Sequence, residues 1–506
     1  MILGVLGAVA LIALLAAIAL LAVRPFGSAD ESAHADYALT VAREGRLPTQ
    51  FESVEPVFVF QSPLPQHVAN HPPLYYALTG PLLAWGVDSG HLLAGYLLGR
   101  GVSVLASMAT VALVAAFAHA VFRGRRKVVV VGAAALAATY PPFVAVSGVL
   151  HNDALAVSLN AAVLWLIVLV VRRGPTPRLV AALALTALAG TAVRANNAAV
   201  LLVACVAVLV AAMIHAPDGR RWRSGLPRGL GAGLIVGLTS VGGIGWFFWR
   251  NQQLYDSALG YGVLERQFGI VPPARSLWLL RHPDLVRSQL GLPGPGTSLT
   301  VWHALAVLPV VAVTAGLVLL AAAAARRRMA RPAAAPDGAG LCRPTEPTVR
   351  RVLIGLFAAH LLITLVMVVR HVDAGGGAHV RYLFPLLPVF ATLSARALVQ
   401  LPGGRRGALV MVVVAAGVLS SLKTTSTSSW SRWEPVREQG PALENILHGL
   451  GRVGLPWPEA VLGVCLLLVA VALITVGASC FRLGAETARP TTPGEVPALR
   501  HRNPAL

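Results

Sequence analysis

The chain has 506 residues, of which 56% are hydrophobic and 12% are charged, and its mean hydropathy is +0.70. Soluble domains carry about 25% charged residues, so this composition excludes an ordinary soluble fold and predicts a membrane protein. A net charge of +20 would suggest nucleic-acid binding in a soluble protein, but here the arginines fall in short clusters between apolar runs. That pattern is typical of cytoplasmic loops and argues against nucleic acid as a partner.

The first apolar run, residues 2–23, is long enough to cross a bilayer and lacks a preceding basic segment, so we predict an uncleaved first helix. Basic clusters follow near residues 123, 172, 220, 326, 405 and 482. If all of them are cytoplasmic, the number of spans between successive clusters must be even. Both chain ends are then cytoplasmic as well.

The fold class predicted from these runs is an all-α integral membrane protein with about twelve transmembrane helices of about 20 residues each, and with interfacial helices in the extracytoplasmic loops. We divide the chain into a polytopic transmembrane domain, residues 1–483, and a disordered cytoplasmic tail, residues 484–506. The four cysteines show no CxxC or metal-like spacing, so we expect no disulfide and no structural zinc. The predicted spans are 2–23, 97–122, 128–149, 154–171, 179–193, 197–214, 229–249, 302–325, 352–370, 380–400, 407–422 and 458–480, with 74–96 a partial span or an interfacial helix.

The first predicted outside loop, residues 24–96, opens with two acidic side chains. Ser28 followed three residues later by Glu31 is a capping-box pattern, which predicts a helix that stops at Gly45. Asp30 and His34 share one face of that helix. In the alternative interpretation the two acids only complement the helix dipole, which suits Glu31 better than Asp30.

Further polar groups interrupt apolar sequence on the same predicted side of the membrane. His71 stands before two prolines, which favour either a ligand-binding turn or simply a rigid helix start with an aromatic belt. Asp153 and Arg194 lie at junctions between predicted spans, and Arg381 begins another span. Ionisable groups at membrane depth are costly and are usually functional or paired, so a plain ion pair between Asp153 and Arg194 is the structural alternative.

Together these motifs resemble the GT-C superfamily of polyprenyl-phosphate-dependent glycosyltransferases, near its bacterial protein mannosyltransferase-like and aminoarabinose-transferase-like groups. The resemblance covers most of the chain in order, although each motif alone is short. It rests on Asp30-Glu31 with His34, on His71-Pro72-Pro73-Leu74-Tyr75-Tyr76, on Asn152-Asp153, on Trp249-Arg250-Asn251 and on Arg381-Tyr382-Leu383-Phe384-Pro385.

The resemblance implies a multi-pass enzyme of the cell membrane that moves a hexosyl or pentosyl group from a polyprenyl-phosphate donor to a glycan, lipid or protein acceptor outside the cytoplasm. Asp30 matches the catalytic base, and Glu31 beside it is the second catalytic candidate. The implied substrate-binding residues are His34, His71, Asp153, Arg194, Arg381 and Tyr382.

One departure from the family pattern concerns metal ions. Some relatives carry a second acidic residue just before the proline motif, where this chain has Asn70 and His71. The identity of a second acid is therefore open, and Asp153 could substitute for it. The motifs imply no certain cofactor. Binding of a divalent metal ion stays possible.

Two other classes of function remain at this point. A secondary transporter should place broken helices and ionisable groups near the bilayer midplane, whereas the polar groups of this chain cluster at one predicted interface. A non-catalytic lipid-binding membrane protein would tolerate the loss of Asp30.

Overall fold

The computed structural model describes residues 1–26, 30–55, 64–217, 221–268, 318, 344–373, 379–400, 407–428 and 441–486. All regular elements in these ranges are helices, and eight of them are long and apolar enough to cross a membrane, or nine if one bent pair counts as a span. The predicted all-α membrane fold is confirmed. The α-helices are α1 (Ile2–Ala22), α2 (Glu31–Glu44), α3 (Leu74–Asp88), α4 (Leu92–Val121), α5 (Lys127–Ala138), α6 (Pro141–Ser147), α7 (Asp153–Arg173), α8 (Pro177–Val193), α9 (Ala198–Ile214), α10 (Leu226–Tyr255), α11 (Tyr261–Phe268), α12 (Glu346–Asp373), α13 (Leu387–Leu398), α14 (Ala408–Thr427), α15 (Ala442–Arg452) and α16 (Pro458–Glu486).

Prolines break two of the predicted spans. The span at 128–149 consists of α5 and α6, which meet at 61° where Pro141 and Pro142 remove backbone donors. The span at 380–400 begins as the 3-10 helix Val380–Leu386 and continues as the 12-residue α13. The predicted span at 179–193 is the 17-residue α8, 74–96 forms α3 and the start of α4, and 302–325 lies almost entirely outside the described residues.

The arginine-rich helix ends lie together at one end of the bundle. Arg123, after α4, and Arg172, at the end of α7, both donate to the Glu346 carboxylate at 3.0 Å. Helix α7 then runs through 21 residues, about 30 Å, to Asp153 at its other end. The arginines near residues 123 and 172 and the acidic residues of the motifs are therefore at opposite ends of the spanning helices.

This separation predicts the result of a labelling experiment. In a background without the native cysteines, a cysteine at Glu52 is expected to react with an impermeant thiol reagent added outside intact cells, and one at Pro336 only after permeabilisation. The reason is the placement of arginine-rich loops in the cytoplasm. Labelling of Pro336 but not Glu52 in intact cells would invert the topology.

Helix α2 is enclosed by the bundle rather than laid on its surface. Every residue from Glu31 to Thr40 is buried, and the helix ends at Gly45 in the left-handed conformation (φ 64°), as predicted. The N-cap, however, is Asp30 and not Ser28, which lies outside the described residues. A Cβ at Gly80 of α3 would clash with a carbonyl oxygen of α2. The absence of a side chain at Gly80 therefore allows α2 and α3 to pack in direct contact.

Helix α15 is an amphipathic helix in a predicted outside loop. Its Ile446 and Leu450 are buried against Ile18 and Ala22 at the end of α1. Glu444, on the opposite face of α15, is exposed. This arrangement matches the predicted interfacial helices.

Candidate active site

Four segments that are far apart in sequence meet at the end of the bundle opposite Glu346. They are the start of α2, the junction of α6 and α7, the junction of α8 and α9, and the 3-10 helix Val380–Leu386. Each is a helix end or a break, where side chains can turn inward from several directions. The structure brings together four residues that were selected from separate motifs: Asp30, Asp153, Arg194 and Arg381.

Asp30 lies at the centre of this group in an unusual backbone conformation. As the N-cap of α2 it is left-handed (φ 71°, ψ −10°), a region that costs a residue with a Cβ about 1 kcal/mol or more. Its Oδ1 is 3.0 Å from Nε2 of His67, and its Oδ2 accepts from Nη2 of Arg381 at 2.9 Å. Burial alone would raise the pKa of this carboxyl, but His67 and Arg381 hold the pKa well below its usual range.

His67 is held as a donor on both ring nitrogens. Its Nε2 faces the Asp30 carboxylate, and its Nδ1 faces the carbonyl oxygen of Pro65 at 3.0 Å. Burial lowers the pKa of His67, but the hydrogen bond to Asp30 outweighs it, so the pKa is raised above its ordinary value. Asp30 is therefore flanked by two cationic groups.

Arg381 links Asp30 to the second carboxylate. Its Nη1 is 3.0 Å from Nε2 of His151, and its Nε is 4.0 Å from Oδ2 of Asp153. Because a guanidinium can only donate, Nε2 of His151 accepts from Arg381, while Nδ1 of His151 lies 3.1 Å from the backbone nitrogen and 3.3 Å from Oδ2 of Asp153. Burial, Arg381 and Arg194 lower the pKa of His151 well below its ordinary value, in keeping with a neutral ring.

Asp153 and Arg194 form a buried ion pair between the ends of α7 and α8. Their side chains are 4% and 7% exposed, and Nη1 of Arg194 also donates to Oδ1 of Asn152 at 2.8 Å. This is the pair that was foreseen as the structural alternative. It does not stand alone, because Arg381 lies beside the same carboxylate and the ring of Tyr382 lies within 6 Å of both guanidinium groups.

A layer of aromatic rings forms the wall behind Asp30. Nδ1 of His34 is hydrogen-bonded to the hydroxyl of Tyr76 at 2.8 Å, and its ring lies 4.3 Å from that of His151. His71 stacks on His34 with ring centroids 6.0 Å apart, while the hydroxyl of Tyr37 donates to the His71 carbonyl oxygen. Burial and neighbouring positive charge lower the pKa values of both histidines, so they are neutral at pH 7. Among the described residues, Nε2 of His34 has no hydrogen-bond partner.

Glu31 lies apart from this cluster, although it was predicted beside Asp30 as a catalytic candidate. Its carboxylate is fully buried and accepts from Nε and Nη2 of Arg100 at 2.8 and 2.9 Å and from the backbone N–H of Leu150 at 2.7 Å. Arg100 also donates to the carbonyl oxygens of Leu20 and Val23 at the end of α1. The structure thus gives Glu31 a clamping contact with α4 instead of the capping box.

Sequence reasoning missed three side chains of this region. His67 lies in an irregular stretch that carries no pattern, so no signal marked it. His151 directly precedes the Asn152-Asp153 motif. Arg100 lies inside a predicted span, where a charged residue is itself a signal of function or pairing.

Cationic side chains face the two carboxylates of the site. In the described part of the chain, no group of three or more His, Cys, Asp or Glu residues is placed to hold a metal ion. Each oxygen of Asp30 already faces a cationic donor, and Asp153 faces Arg194 and Arg381. A metal ion bound to these oxygens would have to compete with His67 and with the two guanidinium groups.

No protein-family model and no curated protein matches the chain. Among solved structures, the chain is similar to ArnT from Cupriavidus metallidurans bound to undecaprenyl phosphate, with 14% identity, a TM-score of 0.45 and coverage of 95% of this chain and 76% of that chain. It is also similar to the oligosaccharyltransferase of Archaeoglobus fulgidus in the apo form, with 13% identity, a TM-score of 0.42 and coverage of 84% of this chain and 56% of that one.

Similarity at these identities and TM-scores concerns the overall helical fold alone. The assignment of site residues rests on the contacts within this chain.

Proposed function

We propose that this protein is a membrane glycosyltransferase that moves a sugar from a polyprenyl-phosphate donor to an acceptor hydroxyl on the extracytoplasmic side. The observation that carries the proposal is the meeting of one partly exposed carboxylate, Asp30, with the guanidinium groups of Arg381 and Arg194 at one end of the spanning helices. A base and a phosphate-binding group are the two requirements of this reaction.

Asp30 is the base in this proposal. A quarter of its side chain is exposed, whereas Asp153 is 4% exposed and fixed by Arg194. Asp30 accepts the proton of the acceptor hydroxyl while that oxygen attacks the anomeric carbon. The bond from that carbon to the phosphate oxygen breaks, and its electron pair leaves on the polyprenyl phosphate.

The leaving phosphate needs fixed positive charge. Arg381 and Arg194 supply it from a buried, low-dielectric setting, where a guanidinium stabilises developing charge by a few kcal/mol or more. The ring of Tyr382 lies within 6 Å of both groups. Neutral His34 and His71 leave the aromatic wall behind Asp30 uncharged.

The extracytoplasmic orientation follows from the arginine clusters at the other end of the helices. The cell membrane is the location in this proposal, since polyprenyl-phosphate donors are lipids of that membrane. The acceptor is a glycan, lipid or protein with a hydroxyl that reaches the bilayer surface.

The direct test is transfer of labelled sugar from polyprenyl-phosphate hexoses and pentoses in proteoliposomes of the purified protein. A transferase consumes donor and yields labelled acceptor. Movement of solute without consumption of donor would indicate a transporter. Donor binding with neither transfer nor transport would indicate a lipid-binding protein.

Arg381→Gln is expected to weaken binding of polyprenyl phosphate by about tenfold to a hundredfold, since a hydrogen bond to a charged group contributes about 1.5–3 kcal/mol. Binding is measured by microscale thermophoresis or calorimetry in nanodiscs. Arg43→Gln serves as the control, because Arg43 is exposed and pairs with Asp88 on the surface. Equal affinities of all three proteins would remove Arg381 from the phosphate site.

Chelation is expected to leave transfer unchanged, because a metal ion would have to compete with the cationic side chains that face both carboxylates. The measurement is initial rate after extensive EDTA dialysis, together with metal content of the purified protein. A loss of activity that Mg²⁺, Mn²⁺ or Zn²⁺ restores would contradict this expectation and require a different arrangement of Asp30 and Asp153 in the working enzyme.

A further inference from the structure

Both oxygens of the proposed base are occupied in the structure. Oδ1 of Asp30 faces Nε2 of His67 at 3.0 Å, and Oδ2 accepts from Nη2 of Arg381 at 2.9 Å. A carboxylate between two cationic groups is a weak proton acceptor, because their charge stabilises its ionised form. Departure of one of the two partners would make Asp30 a stronger base.

His67 is the fixed partner. Its second ring nitrogen is tied to the Pro65 carbonyl oxygen at 3.0 Å, and its side chain is only 15% exposed. Moving it away from Asp30 would therefore break two hydrogen bonds of the ring and displace the loop that carries Pro65.

Arg381 is the partner that can move at its side chain. Its Nε has no hydrogen-bond partner among the described residues and lies 4.0 Å from Oδ2 of Asp153, and its Nη1 faces the imidazole of His151. The backbone of the 3-10 helix that carries Arg381, in contrast, is held by hydrogen bonds at Pro385. The Pro385 carbonyl oxygen has no 3-10 partner, because Pro388 lacks an N–H, and it accepts instead from Nδ2 of Asn160 at 2.6 Å and faces Nε2 of His360 at 3.2 Å.

We propose that Arg381 is shared between the base and the donor: it holds Asp30 while the site is free of donor and turns to the donor phosphate when the lipid binds, so that arrival of the phosphate releases Oδ2 to receive the acceptor proton. His67 stays on Oδ1 as a positioning residue. This inference rests on the proposed function and adds the order of events within it.

The surrounding charges make this release measurable. Titratable groups from five segments surround Asp30. They are His34 of its own helix, His67 of the first loop, His151 and Asp153 at the junction of α6 and α7, Arg194 at the end of α8 and Arg381 of the 3-10 helix. When Arg381 turns to a phosphate, Asp30 loses one cation and gains an anion nearby. Its affinity for a proton rises, so binding of the phosphate is coupled to proton uptake.

The test is calorimetric titration of the purified protein in nanodiscs with polyprenyl phosphate, which has no sugar to transfer. At about pH 5, near the ordinary carboxyl range, heats measured in buffers of different ionisation enthalpy give the number of protons exchanged. We expect wild-type protein to take up more protons than Asp30→Asn, by up to about one per site. Proton release from the phosphate itself occurs in both proteins and cancels in the difference.

The pH dependence of transfer by the wild-type protein gives a second readout that needs no variant. The acid limb of kcat/KM reports free enzyme and that of kcat reports the donor complex, so the kcat limb should lie at higher pH. Coinciding limbs, or equal proton exchange in wild type and Asp30→Asn with binding intact, would overturn the shared role of Arg381 and leave the proposed function standing. Absence of both phosphate binding and transfer in wild type would instead contradict the proposed function.

Discussion

Asp30→Asn is expected to lower sugar transfer at least about a hundredfold while membrane insertion and donor binding stay intact. Asparagine nearly preserves the shape of the side chain and can keep contacts with His67, but it cannot accept a proton in the transition state. The left-handed backbone of Asp30 supports this choice, because asparagine tolerates that conformation better than most residues. The measurement is the initial rate of labelled transfer in proteoliposomes at equal protein amounts.

The matched control is Glu44→Gln, at the other end of the same helix. Glu44 is exposed and pairs with Arg46 at the surface, so its loss should leave the rate unchanged. Near wild-type transfer by Asp30→Asn would remove Asp30 from the role of base. In that event Asp153, the second carboxylate within reach of Arg381, becomes the residue to test.

Much of the fold follows from two simple signals in the sequence. Apolar length predicts helices such as α1, α7 and α16, and arginine clusters predict which of their ends lie together. The same reasoning selected Asp30, Asp153, Arg194 and Arg381, because each is an ionisable group beside an apolar run. Their meeting could not be derived from the sequence, since the segments that carry them are separated by up to 351 residues.

What the sequence did not predict depends on tertiary contacts. Prolines cause the bend between α5 and α6 and interrupt the 3-10 helix Val380–Leu386 that precedes α13. A proline in the sequence predicts a break in a helix but not the angle of that break. His67 carries no local pattern and is recognised only by its contact with Asp30. The role of Glu31 depends on Arg100, which is 69 residues away.

Glu31→Gln is expected to lower the stability of the folded protein by about 3–5 kcal/mol, because it leaves the Arg100 charge buried without its counter-ion. Both side chains are 0% exposed in the structure. The measurement is the fraction of monodisperse protein that remains after heating in detergent or after titration with denaturant. The matched control is Glu52→Gln in the first loop, where an acid–arginine pair with Arg46 is partly exposed and contributes about 1 kcal/mol or less.

A double variant separates the two explanations for a loss of transfer by Glu31→Gln. If Glu31 acts only by clamping Arg100 to α1 and α2, replacing both Glu31 and Arg100 by Gln removes the unpaired charge and should recover part of the stability that Glu31→Gln loses. Transfer should then recover in step with the amount of folded protein. If instead the double variant is as stable as wild type but remains inactive, Glu31 takes part in the reaction, and its carboxylate must separate from Arg100 during catalysis.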